Sequence, residues 1–386
     1  MKIIAKTLYG FEEILTNELN ELGISETISH NRAVEFEGDL ETLYKVNYNS
    51  RLTIKFLVEL FNFTANDEDE LYDFIYHYEW EKLFGLEQKF AIFSTVNSDD
   101  FTHSKYASLK MKDAIVDRFR DKTGKRPSIS IDDPDITFNL HISNNEVSVL
   151  LDSTGESLHK RGYRSKILDA PMSEVLAAGL IAFTGYKGEV DFYDLMCGSG
   201  TILFEAALIA QNIPSGYFRK HYQFMKWKDF NPKLLEKVKK ESNYNIKKAI
   251  KYIYGSDLSK KSIDVLREVI ASHDFFSIIS VKVSDISQMS PHSEKGLIVI
   301  NPPYDDRLRI ENIDELYRKA GKAFKFNFEN HDAWMISSNF PAMKFVGLKP
   351  SKRIKLFNGN LECRFNHYEL FKGKRKEHIE NVSEQE

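Results

Sequence analysis

The chain has 386 residues, 42% hydrophobic and 28% charged, with 53 Lys and Arg against 57 Asp and Glu and a formal net charge of −4. That length predicts two or three domains of about 100–200 residues, and 28 Phe with 18 Tyr exclude a chain that is disordered anywhere but at its ends. The balance excludes a polycation that coats nucleic acid along its whole length, yet it averages an acidic front with a basic remainder: 8 basic and 20 acidic side chains in residues 1–100, 45 and 37 in residues 101–386.

The β-prone residues 2–8 lead through Gly10 into a helix whose apolar positions Phe11, Ile14, Leu15, Leu19 and Leu22 lie on one face, with Gly23 as its stop. A short strand at 33–36 and a helix at 40–46 complete a small β/α unit. Residues 51–63 and 89–96 read as buried strands around an acidic helical stretch, 67–80. A helix follows with Ala107, Met111, Ala114, Ile115 and Phe119 as its apolar stripe and Lys105, Lys110, Lys112, Arg118 and Arg120 around it. This is the first basic segment; it reads as a solvated face or as a track for an RNA phosphate backbone. Strands at 136–142 and 147–151 close an α+β region near Thr154 and Gly155.

From about residue 170 helices alternate with short apolar strands, the signature of an open, mostly parallel sheet. Strands are expected at 190–195, 252–256, 278–284, 297–300 and 333–337, and helices at 173–183, 201–211, 260–272 and 314–326. Residues 373–386 read as a charged tail.

The run from Asp194 through Cys197, Gly198, Ser199, Gly200 and Thr201 is a strand that ends in a glycine turn and opens into a helix, which in such a sheet is where ligands sit. It lacks the third glycine of a dinucleotide fingerprint and the Lys-Ser/Thr of a phosphate loop. An acid before the glycines repels pyrophosphate and suits a cation, so S-adenosylmethionine fits better than a nicotinamide; a tight turn without a ligand is the plainer alternative. Asp257 ends the second strand, where a carboxylate can accept from ribose hydroxyls, and Asp285 follows the third, placed for an adenine amino group with Ile286 against the ring. Taken singly, each acid reads as a helix cap or loop residue.

Leu297 to Ile300 lead into Asn301-Pro302-Pro303-Tyr304. An exocyclic amine on a nucleobase is a poor nucleophile because its lone pair is conjugated with the ring. The Asn301 side-chain oxygen and the Pro302 carbonyl can each accept one N–H and turn that lone pair toward a methyl donor, with Tyr304 stacking on a base taken out of its stack. A bare Asn-Pro-Pro, by contrast, reads as a strand ending in a proline turn.

These ordered motifs resemble class I S-adenosylmethionine-dependent methyltransferases acting on exocyclic amines. With Ser157-Leu-His-Lys-Arg-Gly-Tyr-Arg164, Ala170-Pro-Met-Ser-Glu174, Asn301 to Leu308 and Leu356 to Arg364, the chain resembles more narrowly the THUMP-bearing large-subunit (23S) rRNA guanine-N2 methyltransferases, in stand-alone form. The resemblance implies a ferredoxin-like unit (1–44), a THUMP RNA-binding domain (45–155) and a Rossmann-like methyltransferase domain with a mostly parallel seven-stranded sheet (156–372). It also assigns Glu174 to the methionine end of the cofactor. Leu195 stands where the family commonly has Pro, and Asp305-Asp306 where it has Gly-Glu. Lys105, Lys112, Lys125, Arg126, Lys160, Arg161 and Arg164 are then RNA-binding candidates. So is the stretch 219–251, with 11 Lys and Arg, three acids and the aromatics Tyr217, Phe218, Tyr222, Phe224 and Trp227; an amphipathic helix with a solvated face explains that stretch as well.

The expected activity is methylation of guanine N2 in 23S rRNA or its ribosomal precursor. Alternatives are a tRNA guanine-N2 enzyme, an RNA or DNA adenine-N6 enzyme, a protein-glutamine methyltransferase, or a non-catalytic ribosome-assembly factor. Cys197 and Cys363 are too few for a disulfide framework and have no partners at metal-ligand spacing, so a reduced, metal-free, intracellular protein is expected. No stretch reaches the ~20 apolar residues of a membrane span, and the N-terminus turns acidic too early for a signal peptide; the expected location is the cytoplasm.

Overall fold

The computed structural model describes residues 1–99, 101, 103–164, 172–303 and 313–372. Its contacts divide the chain into two compact units: residues 1–7, 15–160 and 219–242 form the first, and residues 8–14, 161–218 and 243 onward the second.

The first unit is built on one eight-stranded sheet. In chain order its elements are β1 (Lys2–Lys6), α1 (Glu12–Glu21), β2 (Thr27–His30), β3 (Ala33–Glu37), α2 (Leu40–Asn49), β4 (Lys55–Thr64), α3 (Glu68–His77), α4 (Trp80–Leu83), β5 (Lys89–Asn97), α5 (Ser104–Thr123), β6 (Ser128–Ile129), β7 (Ile136–Ser143) and β8 (Glu146–Asp152). The sheet order is β2-β3-β1-β4-β8-β7-β5-β6. The ten-residue β4 is the joint: Lys55 to Val58 pair with β1 and Leu57 to Thr64 with β8. The boundary expected between residues 44 and 45 therefore falls inside α2, and no break in the sheet separates the two parts. Asp39 and Asp67 cap α2 and α3 by accepting from backbone N–H groups of their first turns, which places these two acids of the front at helix starts, where the helix dipole favours them.

Residues 219–242, including most of α8 (Pro232–Tyr244), pack on this unit and not on the sheet expected to hold them. Tyr222, Phe224 and Trp227 are buried, and Phe224 stacks on Tyr44 with ring centres 4.4 Å apart. Arg219 is buried and donates to the carbonyls of Thr154, Glu156, Ser157 and Lys160. These aromatics satisfy a core, so the expectation that they stack on RNA bases is corrected.

The second unit holds α6 (Glu174–Thr184), β9 (Asp191–Asp194), α7 (Thr201–Ala210), β10 (Ile253–Asp257), α9 (Lys260–Ala271), β11 (Ile279–Val283), β12 (Gly296–Ile300), α10 (Ile313–Phe326), β13 (Asp332–Ser337), α11 (Phe340–Met343), β14 (Lys352–Asn358) and β15 (Leu361–Glu369). Its seven strands run in the order β11-β10-β9-β12-β13-β15-β14. Five are mutually parallel, and the β14–β15 hairpin joins antiparallel through β15. β9 and β12 are buried along their whole length, as central parallel strands covered on both faces must be. This α/β sheet preceded by an α+β region is the fold class that the motif order implied.

Candidate active site

Buried between β10 and β12, β9 delivers Asp194 to the carboxyl edge of the sheet. The chain then turns through two glycines in the left-handed region, Gly198 at φ 49° and Gly200 at φ 73°. A Cβ on Gly200 would lie 2.2 Å from the Leu266 side chain, whereas one on Gly198 would project into open space. The turn is laced to the next strand: the Cys197 N–H donates to Ser256 O (2.9 Å), and the Gly198 N–H donates to Asp257 Oδ2 (2.9 Å) while the Ser259 N–H donates to Oδ1 (2.8 Å). The second strand's acid thus shapes the first strand's turn. Cys197 is buried and burial pushes its thiol well above the usual range, so it acts through its backbone.

Asp194 is 1% exposed and its Oδ1 accepts only the Met196 N–H, at 3.2 Å, among the described residues. Burial, with a smaller contribution from the Asp257 charge, pushes its pKa up to about 8. A neutral buried acid beside an open turn is an arrangement that a cation would ionise.

Arg164 braces the same turn. Its Nη2 donates to Thr201 Oγ1 (2.8 Å) and Ser199 O (3.3 Å), and its Nη1 lies 3.6 Å from Glu174 Oε1. Burial raises the Glu174 pKa and the Arg164 charge opposes the rise. Arg161 is buried against the equally buried Glu205 at 3.3 Å, a pair whose rupture costs about 3–5 kcal/mol. Arg161 is corrected: its charge is buried against Glu205 and is not presented on a surface where RNA phosphates could meet it. The alternating Arg-Gly-Tyr-Arg pattern looked like a basic patch because sequence does not show which cations have buried acids to meet.

Asp285 Oδ1 accepts from the N–H and hydroxyl of Ser287 (2.9 and 2.6 Å), and its Oδ2 pairs with Lys319 (3.0 Å). Partial burial works to raise its pKa, but the Ser287 bonds and Lys319 hold it below the usual carboxylate range. Lys319 is a partner that the sequence reading missed; only the register of α10 against the third strand's end reveals it. Ile286 is buried in the core with Ile298, Ile300 and Tyr317.

Asn301 leaves β12 beside β9. Its side-chain Oδ1 is buried and has no hydrogen-bond partner among the described residues, and the following Pro302 and Pro303 have no N–H to offer. An acceptor removed from water without a donor costs about 1–3 kcal/mol, and an incoming N–H would relieve it. Tyr304, with Asp305 and Asp306, lies outside the described residues.

Of the remaining RNA candidates, Lys105, Lys125 and Arg126 are exposed, Lys112 pairs with Asp113 at 2.6 Å, and Lys160 pairs with Glu156. Among the described residues no group of three or more His, Cys, Asp or Glu could hold a metal ion, and no helix is long and apolar enough to cross a membrane.

Residues 161–367 match the family model described as an RMKL-like methyltransferase domain, residues 65–152 a THUMP domain and residues 2–55 an RlmL ferredoxin-like domain. The chain is 33% identical over 364 residues to a putative RNA methyltransferase, slr0064, of Synechocystis sp., covering 94% of this chain and 95% of that one. It is 34% identical over 371 residues to the ribosomal RNA large subunit methyltransferase K/L of Psychromonas ingrahamii, covering 94% of this chain and 49% of that one; the chain thus spans about half the length of the K/L relatives it matches. The structure of a possible methylase from Clostridium difficile 630 superposes with a TM-score of 0.86 at 30% identity, covering 97% of this chain and 99% of that one.

Proposed function

Because the chain belongs to the RMKL-like methyltransferase domain family, whose members depend on S-adenosylmethionine, we propose that it methylates the exocyclic N2 amine of a guanine in large-subunit rRNA. The observation that carries the chemistry is the buried Asn301 Oδ1 at the end of β12, without a hydrogen-bond partner among the described residues.

The described residues fit the cofactor. Asp194 would meet its cationic methionine end and Glu174, held by Arg164, its amino group. The open side of Gly198 admits close approach, and the N-terminus of α7 favours a carboxylate. Asp257 and Asp285 retain lone pairs for ribose hydroxyls and the adenine amine. When bound, the cofactor supplies an electrophilic methyl group.

Asn301 Oδ1 and the Pro302 carbonyl each accept an N–H of the target amine and so turn its lone pair out of conjugation with the ring. The proton leaves the nitrogen after it becomes cationic, so no base of unusual pKa is needed; orientation and electrostatics supply the rate. Tyr304 would stack on the flipped base. RNA is supported as substrate by the THUMP match and by the names of the relatives, and rRNA by the K/L proteins. The exposed Lys105, Lys125 and Arg126 are candidate phosphate contacts.

Asn301→Ala is expected to lower kcat by about 10²–10³ with unchanged cofactor affinity by calorimetry. Loss of cofactor affinity in that variant would make the segment structural and contradict the assignment.

A further inference from the structure

We propose that the cationic edge of the second unit, formed by Arg353, Lys355 and Arg364 with Arg318, docks the RNA phosphate backbone beside the target base; this rests on the RNA reading above and names a surface for it. Residues 340–364 carry six basic side chains and one acid. Leu356 to Arg364, a motif of the sequence with no part in the chemistry, lies in the β14–β15 hairpin, which exposes four of them, Lys352, Arg353, Lys355 and Arg364.

Three observations set this edge apart from an ordinary solvated face. First, its cations lie over rings: Arg364 sits 4.2 Å from the Phe340 ring centre, Arg318 4.4 Å from that of Phe345, and Lys355 5.5 Å from that of Phe357. A ring beneath a guanidinium fixes its plane and leaves its N–H edge for a bidentate oxyanion. Second, the register places Lys355 opposite Arg364 and Arg353 opposite Asn366, so the three cations share one face of the hairpin. Lys355 is shared with Glu362 at 2.7 Å and Arg318 with Glu315 at 3.3 Å, whereas Arg353 and Arg364 are exposed and form no ion pair among the described residues. Third, Arg364 lies at the end of the sheet from which the candidate site departs. Arg364 pairs with Ser337, the last residue of β13, and β13 pairs with β12, from which Asn301 departs. Arg364 thus stands at the carboxyl end of the sheet two strands from the catalytic one, about 10 Å away at ~4.8 Å per strand.

Charges on an edge strand also prevent stray strand pairing. That purpose calls for charge of either sign and for no ring beneath it, so the two roles separate by experiment. In the full chain, Arg353→Ala/Arg364→Ala should raise the RNA Kd at least tenfold and reduce the slope of log K against log salt by about 1.8, two phosphate contacts at ~0.9 each. Cofactor affinity and thermal unfolding should stay at wild-type values. Arg364→Lys should keep the salt slope and lose part of the affinity, because a point charge replaces the bidentate fork. Unchanged RNA affinity and slope in the double variant, with the wild type methylating RNA, would overturn the inference alone; a wild type that methylates no RNA would overturn the function and the inference together. A loss confined to ribosomal particles, with naked RNA bound normally, would assign the edge to an acidic protein and also contradict it.

Discussion

Burial pushes the Asp194 carboxyl up to about 8, against an ordinary aspartate value near 3.9 in an unfolded chain. Between those values the folded protein holds a proton that the unfolded chain has lost, so stability falls as pH rises through that window, by at most about 1.4 kcal/mol per unit, and levels off above it. Asp194→Asn removes the titration. Urea unfolding of ligand-free protein at pH 5 and pH 8 should show the wild type losing stability relative to the variant; parallel profiles would refute the buried-acid account. The same variant should bind the cofactor more weakly, since an amide cannot answer a cation. Arg164 belongs to this scale too: one guanidinium ties Glu174, Ser199 and Thr201, so the glycine turn is preset before any ligand arrives.

Among elements, the segment 219–242 departs furthest from its sequence reading. Eleven cations in residues 219–251 suggested an RNA channel, but its aromatics are interior and its arginine is spent on five carbonyls, that of His221 among them. Phe224→Ala should destabilise the protein by about 3–5 kcal/mol, the usual cost of deleting a buried aromatic, while Lys240→Ala, on the exposed side of α8, should change stability by less than about 0.5 kcal/mol. Urea unfolding decides between them. An intact Phe224→Ala protein with impaired RNA binding would restore the base-stacking role. The parallel strands and their helices were legible because buried apolar runs bounded by turns leave a local signal: 297–300 and 333–337 were placed within a residue or two. The short edge strands β2 and β6 and the β14–β15 hairpin were not, because exposed, polar or two-residue strands exist only through their partners.

For the whole molecule, the net charge of −4 says little about its partner. Acids of the front cap helices and pair with nearby cations, as in Lys110 with Asp69. Sequence showed the order of Asp194, Asp257, Asp285 and Asn301, because those residues sit at strand ends that periodicity locates. It could not show which of Arg161, Arg164, Arg353 and Arg364 meet acids, since that depends on tertiary neighbours. The central claim is methyl transfer to guanine N2 in large-subunit rRNA. Its most direct test is incubation of the protein with labelled S-adenosylmethionine and separately purified rRNA and tRNA, followed by digestion to nucleosides. Label in N2-methylguanosine from the large-subunit rRNA is the expected result, and label in methyladenosine, or in tRNA alone, would contradict it.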